Sequence, residues 1–431
     1  MSGTRQEYPR MLIISNECLS QSGSNGRTLR NFLTGWPTDC LAQFSLQSRD
    51  PDFAVCQRYF CVTDGQALKA CLGRGQGGGV VVQRASEADG AGQLPKQKKT
   101  SRTALTMLLR ELVWNSRRWT KNGFWPWVES FDPQLVLLQA GDCGFMFRLA
   151  EDIARKYQIP LMIYNSEAYY FKNFDYFRAK GLAHWCYPLF RWQFCRQFKK
   201  TLVQAAGSIY ICKALQMDYD KEFFLPSETV YTATTICPGQ KEKENKTFTV
   251  SYLGNLGVGR HEPLVTIANV LQSISSELFL DVYGKIPDKI VQAAFDACPG
   301  IRYKGFVPYE RVVEIMQSSD LLVHGENFSG FYREDLKYAF STKTADSLAS
   351  GTCFLLYAPE EMACTRYLTE NEAAYVVSDL DTLKETLRML VEQPDKRQRY
   401  IKNALAVVEK NHRAEHCAKR FQEILRKAVT E

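Results

Sequence analysis

Short apolar runs rich in β-branched residues recur through the first half of the chain, at 11–15, 80–82, 135–139, 161–164 and 208–212, separated by stretches that read as helices, such as 146–156. A second series follows at 248–253, 278–283, 321–324, 353–357 and 375–377, with helical patterns at 263–273, 309–317 and 342–349 between its members. Runs this short, alternating with helices, predict parallel sheets with crossover helices. The two series predict two α/β units in tandem, 1–236 and 248–412, joined by a polar linker at 237–247 that Pro238 and Gly239 open. A final helix is predicted from Arg413, with Ala418, Phe421, Ile424, Leu425 and Ala428 apolar, so 413–431 needs a surface to cover.

Two stretches break the alternation. Residues 83–102 are poor in apolar side chains and rich in Gly, Ser, Lys and Gln, which predicts a flexible surface loop. The glycines of 73–79 lack a following Lys-Ser/Thr pair, so they predict a turn into 80–82 rather than a phosphate-cradling Walker loop.

At 431 residues, 45% hydrophobic and 23% charged, the chain has room for two cores. No apolar run approaches the roughly 20 residues of a spanning helix, and the polar start with only four apolar residues at 11–14 lacks a secretory pattern, so a cytoplasmic location is expected. Fourteen scattered cysteines without a C-x-x-C pair read as reduced thiols, and five histidines without H-E-x-x-H argue against a protein-held metal. The net charge of +7 is unevenly placed. Residues 96–121 carry eight Lys/Arg against Glu111, and 169–200 carry seven against Asp175. The second stretch also holds twelve aromatic residues, and a helical wheel sets Tyr187, Phe190, Phe194, Phe198 and Leu202 opposite Arg196, Lys199 and Lys200. Both stretches, the first with its tryptophans at 114, 119, 125 and 127, fit either an anionic membrane surface or an apolar core face with a solvated charged side.

The candidate chemistry begins where the run 248–253 enters Gly254-Asn255-Leu256-Gly257-Val258-Gly259-Arg260, whose glycines let backbone approach a ligand and whose Arg260 suits phosphate oxygens. Ligands of open parallel sheets lie beyond the carboxyl ends of the strands. There the chain offers Gly284-Lys285, then Glu326 and Asn327, then Ser341-Thr342-Lys343 opening a helix. Ser341 can cap that helix, its free N–H groups attract an anion, Lys343 adds charge, and Asp346 on the same face suits a sugar diol.

These residues resemble the GT-B-fold nucleotide-sugar glycosyltransferases of the family-4 type. The loop 254–261 keeps the spacing of that family's G-R-L-x-x-x-K-G, with Asn255 for Arg and Arg260 for Lys. Residues 305–307 and 315–323 resemble its G-x-V and A-D-x-x-V runs, and 341–351 its S-x-K-x-x-E/D-x-x-A-x-G donor helix. Asp346 takes the second position of the E-x7-E signature, whereas Tyr338 replaces the first Glu, leaving Glu326 to cover part of that role. More loosely, 22–27 with Gly23 resembles the first-domain glycine loop that faces donor and acceptor. The resemblance implies two Rossmann-like domains facing a central cleft, with the C-terminal helix returning to the first. It implies metal-independent transfer from a nucleotide-sugar, a UDP-sugar as the family expectation, to a glycan, lipid-linked or protein acceptor, with retention and little use of a protein nucleophile. Donor contacts then fall on Gly23, Gly254, Asn255, Arg260, Glu326, Asn327, Ser341, Thr342, Lys343 and Asp346.

On the acceptor side Glu167, past 161–164, is a candidate base or a surface carboxylate beside Tyr169 and Tyr170, and Asp142, past 135–139, is equally two-sided. The D-x-D pairs at 50/52, 218/220 and 379/381 are set aside as chance matches. A non-catalytic subunit that keeps the fold to serve a partner remains an alternative because of Tyr338 and Asn255. Nucleic-acid binding through the basic aromatic stretches is not expected, since no recognised motif accompanies them.

Overall fold

A computed structural model describes residues 8–21, 24–47, 51–74, 79–82, 102–121, 123–239 and 247–430. Residues 83–101 of the expected loop 83–102, most of the linker (240–246), Gly23 and Asp50 lie outside the described residues. The chain forms two compact units, Met1–Val230 together with Ala418–Glu431, and Tyr231–Cys417.

The first unit is built on eight strands, β1 (Met11–Glu17), β2 (Leu41–Gln47), β3 (Arg58–Cys61), β4 (Val80–Val82), β5 (Leu135–Gln139), β6 (Leu161–Asn165), β7 (Gly207–Tyr210) and β8 (Ser227–Thr229), in the order β4-β3-β2-β1-β5-β6-β7-β8. Its centre is dry, with Met11–Ile14 and Leu135–Leu138 fully buried and paired in parallel register. The all-parallel expectation fails at one edge, because β4 runs antiparallel to β3, with Phe60 opposite Val81. The helix Asp64–Cys71 lies between the two strands in sequence and is followed by Gly73 at φ +68°. Gly79 lies against the Phe60 ring where a Cβ would clash, so this position takes only glycine.

Strands β2, β3 and β8 escape a search for apolar runs. β2 interrupts its apolar series with Gln43 and Ser45, both buried; Gln43 spends its amide on the Ser15 hydroxyl (2.6 Å) and the Leu19 N–H (2.8 Å). β3 is only four residues long, and β8 is a three-residue polar edge.

The second unit holds β9 (Val250–Leu253), β10 (Leu280–Tyr283), β11 (Ile301–Gly305), β12 (Leu321–Gly325), β13 (Cys353–Tyr357) and β14 (Tyr375–Val377), all parallel, in the order β11-β10-β9-β12-β13-β14. β11, the strand missing from the sequence pattern, is an edge whose middle residues face solvent. In each sheet the order reverses beside the first strand, at β1/β5 and at β9/β12, the place where open α/β sheets leave a crevice.

The unit boundary falls earlier than 236 because residues 231–236 bond to the second unit. Thr234 bridges to Arg413, its N–H donates to the His412 carbonyl, and Tyr231 packs with Phe340, Tyr367 and His412. The helix Ala414–Thr430 then carries the chain into the first unit, where Phe421 stacks on Phe32 (4.9 Å between centroids) and meets Tyr164 edge-on. Gln422 there donates to the Phe32 and Thr34 carbonyls.

The aromatic stripe of 169–200 is core. Tyr187, Phe190, Phe194, Phe198 and Leu202 lie buried on the inner side of the helix Tyr187–Gln204, against Phe147 and Tyr170. Trp114, Trp119 and Trp127 are buried as well, and Lys156 lies over Trp125. These rings therefore cannot be the membrane-facing groups that the wheel allowed. The D-x-D aspartates have local duties: Asp52 pairs with Arg30, Asp218 with Lys221, Asp220 accepts from Ser227, and Asp379 caps the helix Leu380–Glu392.

Candidate functional site

In the second unit the loop after β9 is folded onto itself. The Tyr252 hydroxyl donates to the Asn255 carbonyl (2.7 Å), and the Asn255 side-chain oxygen accepts the Gly257 N–H (2.9 Å). Gly259 sits at φ +73° with the Asn327 amide and the Tyr332 ring each 2.6 Å from where a Cβ would stand, so only glycine fits. Asn327 is fully buried, donating to the Gly259 carbonyl (2.9 Å) and accepting the Ser329 N–H (2.8 Å). Asn255 and Asn327, expected among the donor contacts, thus use their side chains to shape the loop, while Asn255 remains exposed.

Arg260 at the loop's end forms a two-pronged ion pair with Glu326 at the end of β12, Nε to Oε2 at 2.9 Å and Nη2 to Oε1 at 2.7 Å. Both are buried, and His324 Nε2 stands 2.9 Å from the same carboxylate. Burial pushes the Glu326 carboxyl up, but the Arg260 charge and the His324 hydrogen bond outweigh it and hold the group down at about 2. Burial likewise disfavours the charged guanidinium, and Glu326 overrides it, raising Arg260. Sequence spacing brings the two residues to one site, yet it assigns Arg260 to phosphate. The structure already commits much of its charge to Glu326.

The donor-type helix is Thr342–Ala349, whose Ser341 hydroxyl accepts the Lys343 N–H (3.1 Å) and whose far end closes at Gly351, φ +82°. It runs into the start of β13, so its amino end lies at the carboxyl edge of the sheet, as do the loop 254–260 and Glu326. Lys343 Nζ lies 3.2 Å from Asp346 and over the Tyr309 ring. Asp346 is buried and accepts a second bond from the Thr234 hydroxyl (2.8 Å), which fixes its carboxylate. Ser341, Thr342 and Lys343 are half-buried at the open end of the helix. Thr234 and His324 carry no sequence signal; each reaches the site only through the fold.

In the first unit Asp142 follows β5 at the strand-order reversal. It is buried, paired with the Arg102 guanidinium and accepting the Tyr176 hydroxyl (3.1 Å). Glu167 follows β6 with its side chain 44% exposed and Lys172 Nζ at 3.7 Å; Lys172 in turn lies over the Tyr169 and Tyr176 rings. Tyr169 is raised well above its ordinary value by burial, with the Glu167 and Asp142 charges adding to it, so it stays a neutral donor. The two candidate carboxylates therefore belong to one cluster at the ends of β5 and β6. Asp142 is enclosed by its partners, whereas Glu167 is the more open. Arg102, read in sequence as part of a polar loop and of the basic stretch 96–121, is the partner of Asp142 that sequence reasoning missed; it is 40 residues away.

Among the described residues no group of three or more His, Cys, Asp or Glu is placed to hold a metal ion. No helix among the described residues is long and apolar enough to cross a membrane.

Two parallel-centred α/β units, a loop-and-helix constellation at the carboxyl edge of the second, and a chain end that returns to the first make up a GT-B fold. Residues 266–423 match the family described as glycosyl transferase-like, a segment that includes Glu326, Lys343 and Asp346 and begins just after Arg260. The fold is shared with sucrose-phosphate synthase from Thermosynechococcus elongatus (TM-score 0.63, 12% identity, 97% of this chain and 99% of that one). It is also shared with Anabaena HepE, solved with UDP and glucose (TM-score 0.61, 10% identity, 97% and 100%). WaaG, a glycosyltransferase of lipopolysaccharide biosynthesis, is similar as well (TM-score 0.57, 11% identity, 96% and 99%). No curated protein matches the chain significantly.

Proposed function

We propose that this protein transfers a sugar from a uridine diphosphate donor to a glycan, lipid-linked or protein acceptor, with retention of configuration and without a resident metal. The observation that carries the reading is the capped helix Thr342–Ala349, which sets the positive end of its dipole, Lys343 and the pinned Asp346 carboxylate at one sheet edge. Negative charge develops on the departing diphosphate, and a helix amino end with a cation in its first turn stabilises it there. Asp346 can then exchange Lys343 for a sugar or ribose hydroxyl. The presence of UDP and glucose on HepE supports the choice of base. The first unit supplies the acceptor side, with Glu167 as the accessible carboxylate.

Thermal-shift binding of UDP, GDP and ADP without added metal, in parallel with Lys343→Ala, tests the donor. A shift with UDP that the variant loses is expected; no shift with any nucleotide overturns the reading. Proton NMR of the glycoside formed from an α-linked donor tests retention.

A second reading is favoured by the pairing of Arg260 and Lys343 with carboxylates and by Tyr338 at the first signature position. In it the fold binds a sugar-nucleotide without turnover and serves a partner subunit. UDP binding with no transfer to any acceptor, whether or not that partner is added, favours this second reading over the first.

A further inference from the structure

The buried stripe of the helix Tyr187–Gln204 leaves a second stripe facing outward. Leu182, Trp185, Leu189 and Trp192 recur at spacings of three and four across the short helix Leu182–Trp185 and the start of Tyr187–Gln204. Cys186 between them keeps right-handed helical angles, so the stripe is continuous. Trp185 is 78% exposed and Trp192 58%, and they are the only exposed tryptophans of the seven. The neighbouring helix Ala104–Asn115, which packs on both, adds exposed Leu109 and Leu112. A core has no use for these side chains, and water disfavours them.

The same stripe continues as cations. Arg196 lies over the Trp192 ring (5.4 Å), and Lys199 and Lys200 follow, half-exposed even as they pair with Glu222 and Glu151. Between Asp175 and Asp218 the chain carries seven Lys/Arg, with Arg178 and Lys180 exposed beside the stripe, and no acid at all. Exposed indoles followed by exposed cations match the layering of an anionic bilayer, apolar acyl boundary beneath a negative headgroup plane.

We propose that the outward stripe Leu182-Trp185-Leu189-Trp192-Arg196 docks the first unit on an anionic membrane surface. Charge complementarity selects this occupant: a second copy of the chain would set the same cations against each other. The inference stands on exposure and charge, independently of the sugar-transfer reading.

Flotation of the full-length protein with vesicles of phosphatidylcholine alone and of phosphatidylcholine with phosphatidylglycerol tests it. Binding is expected to the anionic vesicles and to fall with added salt. Arg196→Ala should lower partitioning about fivefold, as one interfacial cation implies, and Trp185→Ser/Trp192→Ser should lower it further. Blue-shifted tryptophan emission on vesicle addition should vanish in the double variant. Circular dichroism and the UDP thermal shift, measured on the same samples, report folding and the donor site separately. No binding to anionic vesicles, equal binding to both kinds, or undiminished binding by a folded double variant each overturns the proposal. So does a wild-type dimer in solution that Trp185→Ser/Trp192→Ser dissolves, since the stripe would then be covered by a second copy.

Discussion

Each unit places a cation–carboxylate pair where its strand order reverses, and the two pairs differ in one physical respect. Arg260 and Glu326 are both withdrawn from water, with side chains 11% and 4% exposed. Arg102 keeps 55% of its side chain exposed while Asp142 is buried. Desolvation makes the first pair interdependent, so that either charge alone is intolerable there; the second leaves a guanidinium face open to solvent and to any anionic group that arrives. The same two chemical groups thus serve as scaffold in one unit and as an accessible surface in the other. Residue type does not distinguish these roles, and burial does.

The sharpest way to break this contrast is Glu326→Ala against Arg102→Ala. The first strands a buried guanidinium and is expected to lower the unfolding free energy by about 3–5 kcal/mol. The second leaves Asp142 with the Tyr176 hydroxyl and is expected to lose roughly 1–2 kcal/mol. Urea titrations compare them, and equal losses would remove the distinction. By the same reasoning Arg260→Ala cannot be read as a pure donor-site variant, because it leaves Glu326 buried and charged.

Acid should act on the second unit through a different buried group. His412 is fully buried, its Nδ1–H donating to the Thr232 carbonyl (2.8 Å) and its Nε2 facing the Tyr367 hydroxyl (2.9 Å). Burial lowers it from 6.5 to about 4. The unfolded chain therefore binds the proton more readily between those values, so stability is complete above pH 6.5 and declines as pH falls toward 4, by about 3 kcal/mol in all. Glu326, held near 2, adds its own loss only below about 4.5. Chemical denaturation at pH 7 and pH 5 should show the His412 step, and His412→Phe should flatten it even though that variant starts from lower stability.

Lys343→Ala sharpens the comparison on the functional side. It leaves the buried Asp346 with the Thr234 hydroxyl alone, so some loss of melting temperature is expected, while turnover should fall about 100-fold, the loss of a preorganised charge partner at a departing group. Normal turnover in the folded variant would sink the donor assignment. The smallest expected effect is Thr234→Val, which takes one of the Asp346 hydrogen bonds and should lower stability by about 1 kcal/mol. A rise in donor KM alongside it, with kcat little changed, would show that the pinned carboxylate touches the donor.

Much of the second unit was legible along the chain. β13, β14 and the helix Thr342–Ala349 are read from pattern alone, because a buried strand must be a short apolar run and a helix start needs a capping hydroxyl such as Ser341. Glu326 and Lys343 were legible for the same reason, since parallel strands deliver their last residues to one edge. β2 was not, because Gln43 and Ser45 sit in it and are tolerated only through partners at 15 and 19. The direction of β4 was not, since an edge strand obeys its turn more than its composition.

What the sequence determined by itself is local periodicity, and with it two sheets, their crossovers and the ends at which chemistry collects. The tertiary structure alone decided which of two apolar stripes on the helix Tyr187–Gln204 is core and which meets solvent, a choice that Phe147 and Tyr170 make by packing. It alone set Thr234 against Asp346 and Arg102 against Asp142, across 112 and 40 residues. Burial and pairing are properties of what surrounds a side chain, and nothing along a single strand of sequence states its surroundings.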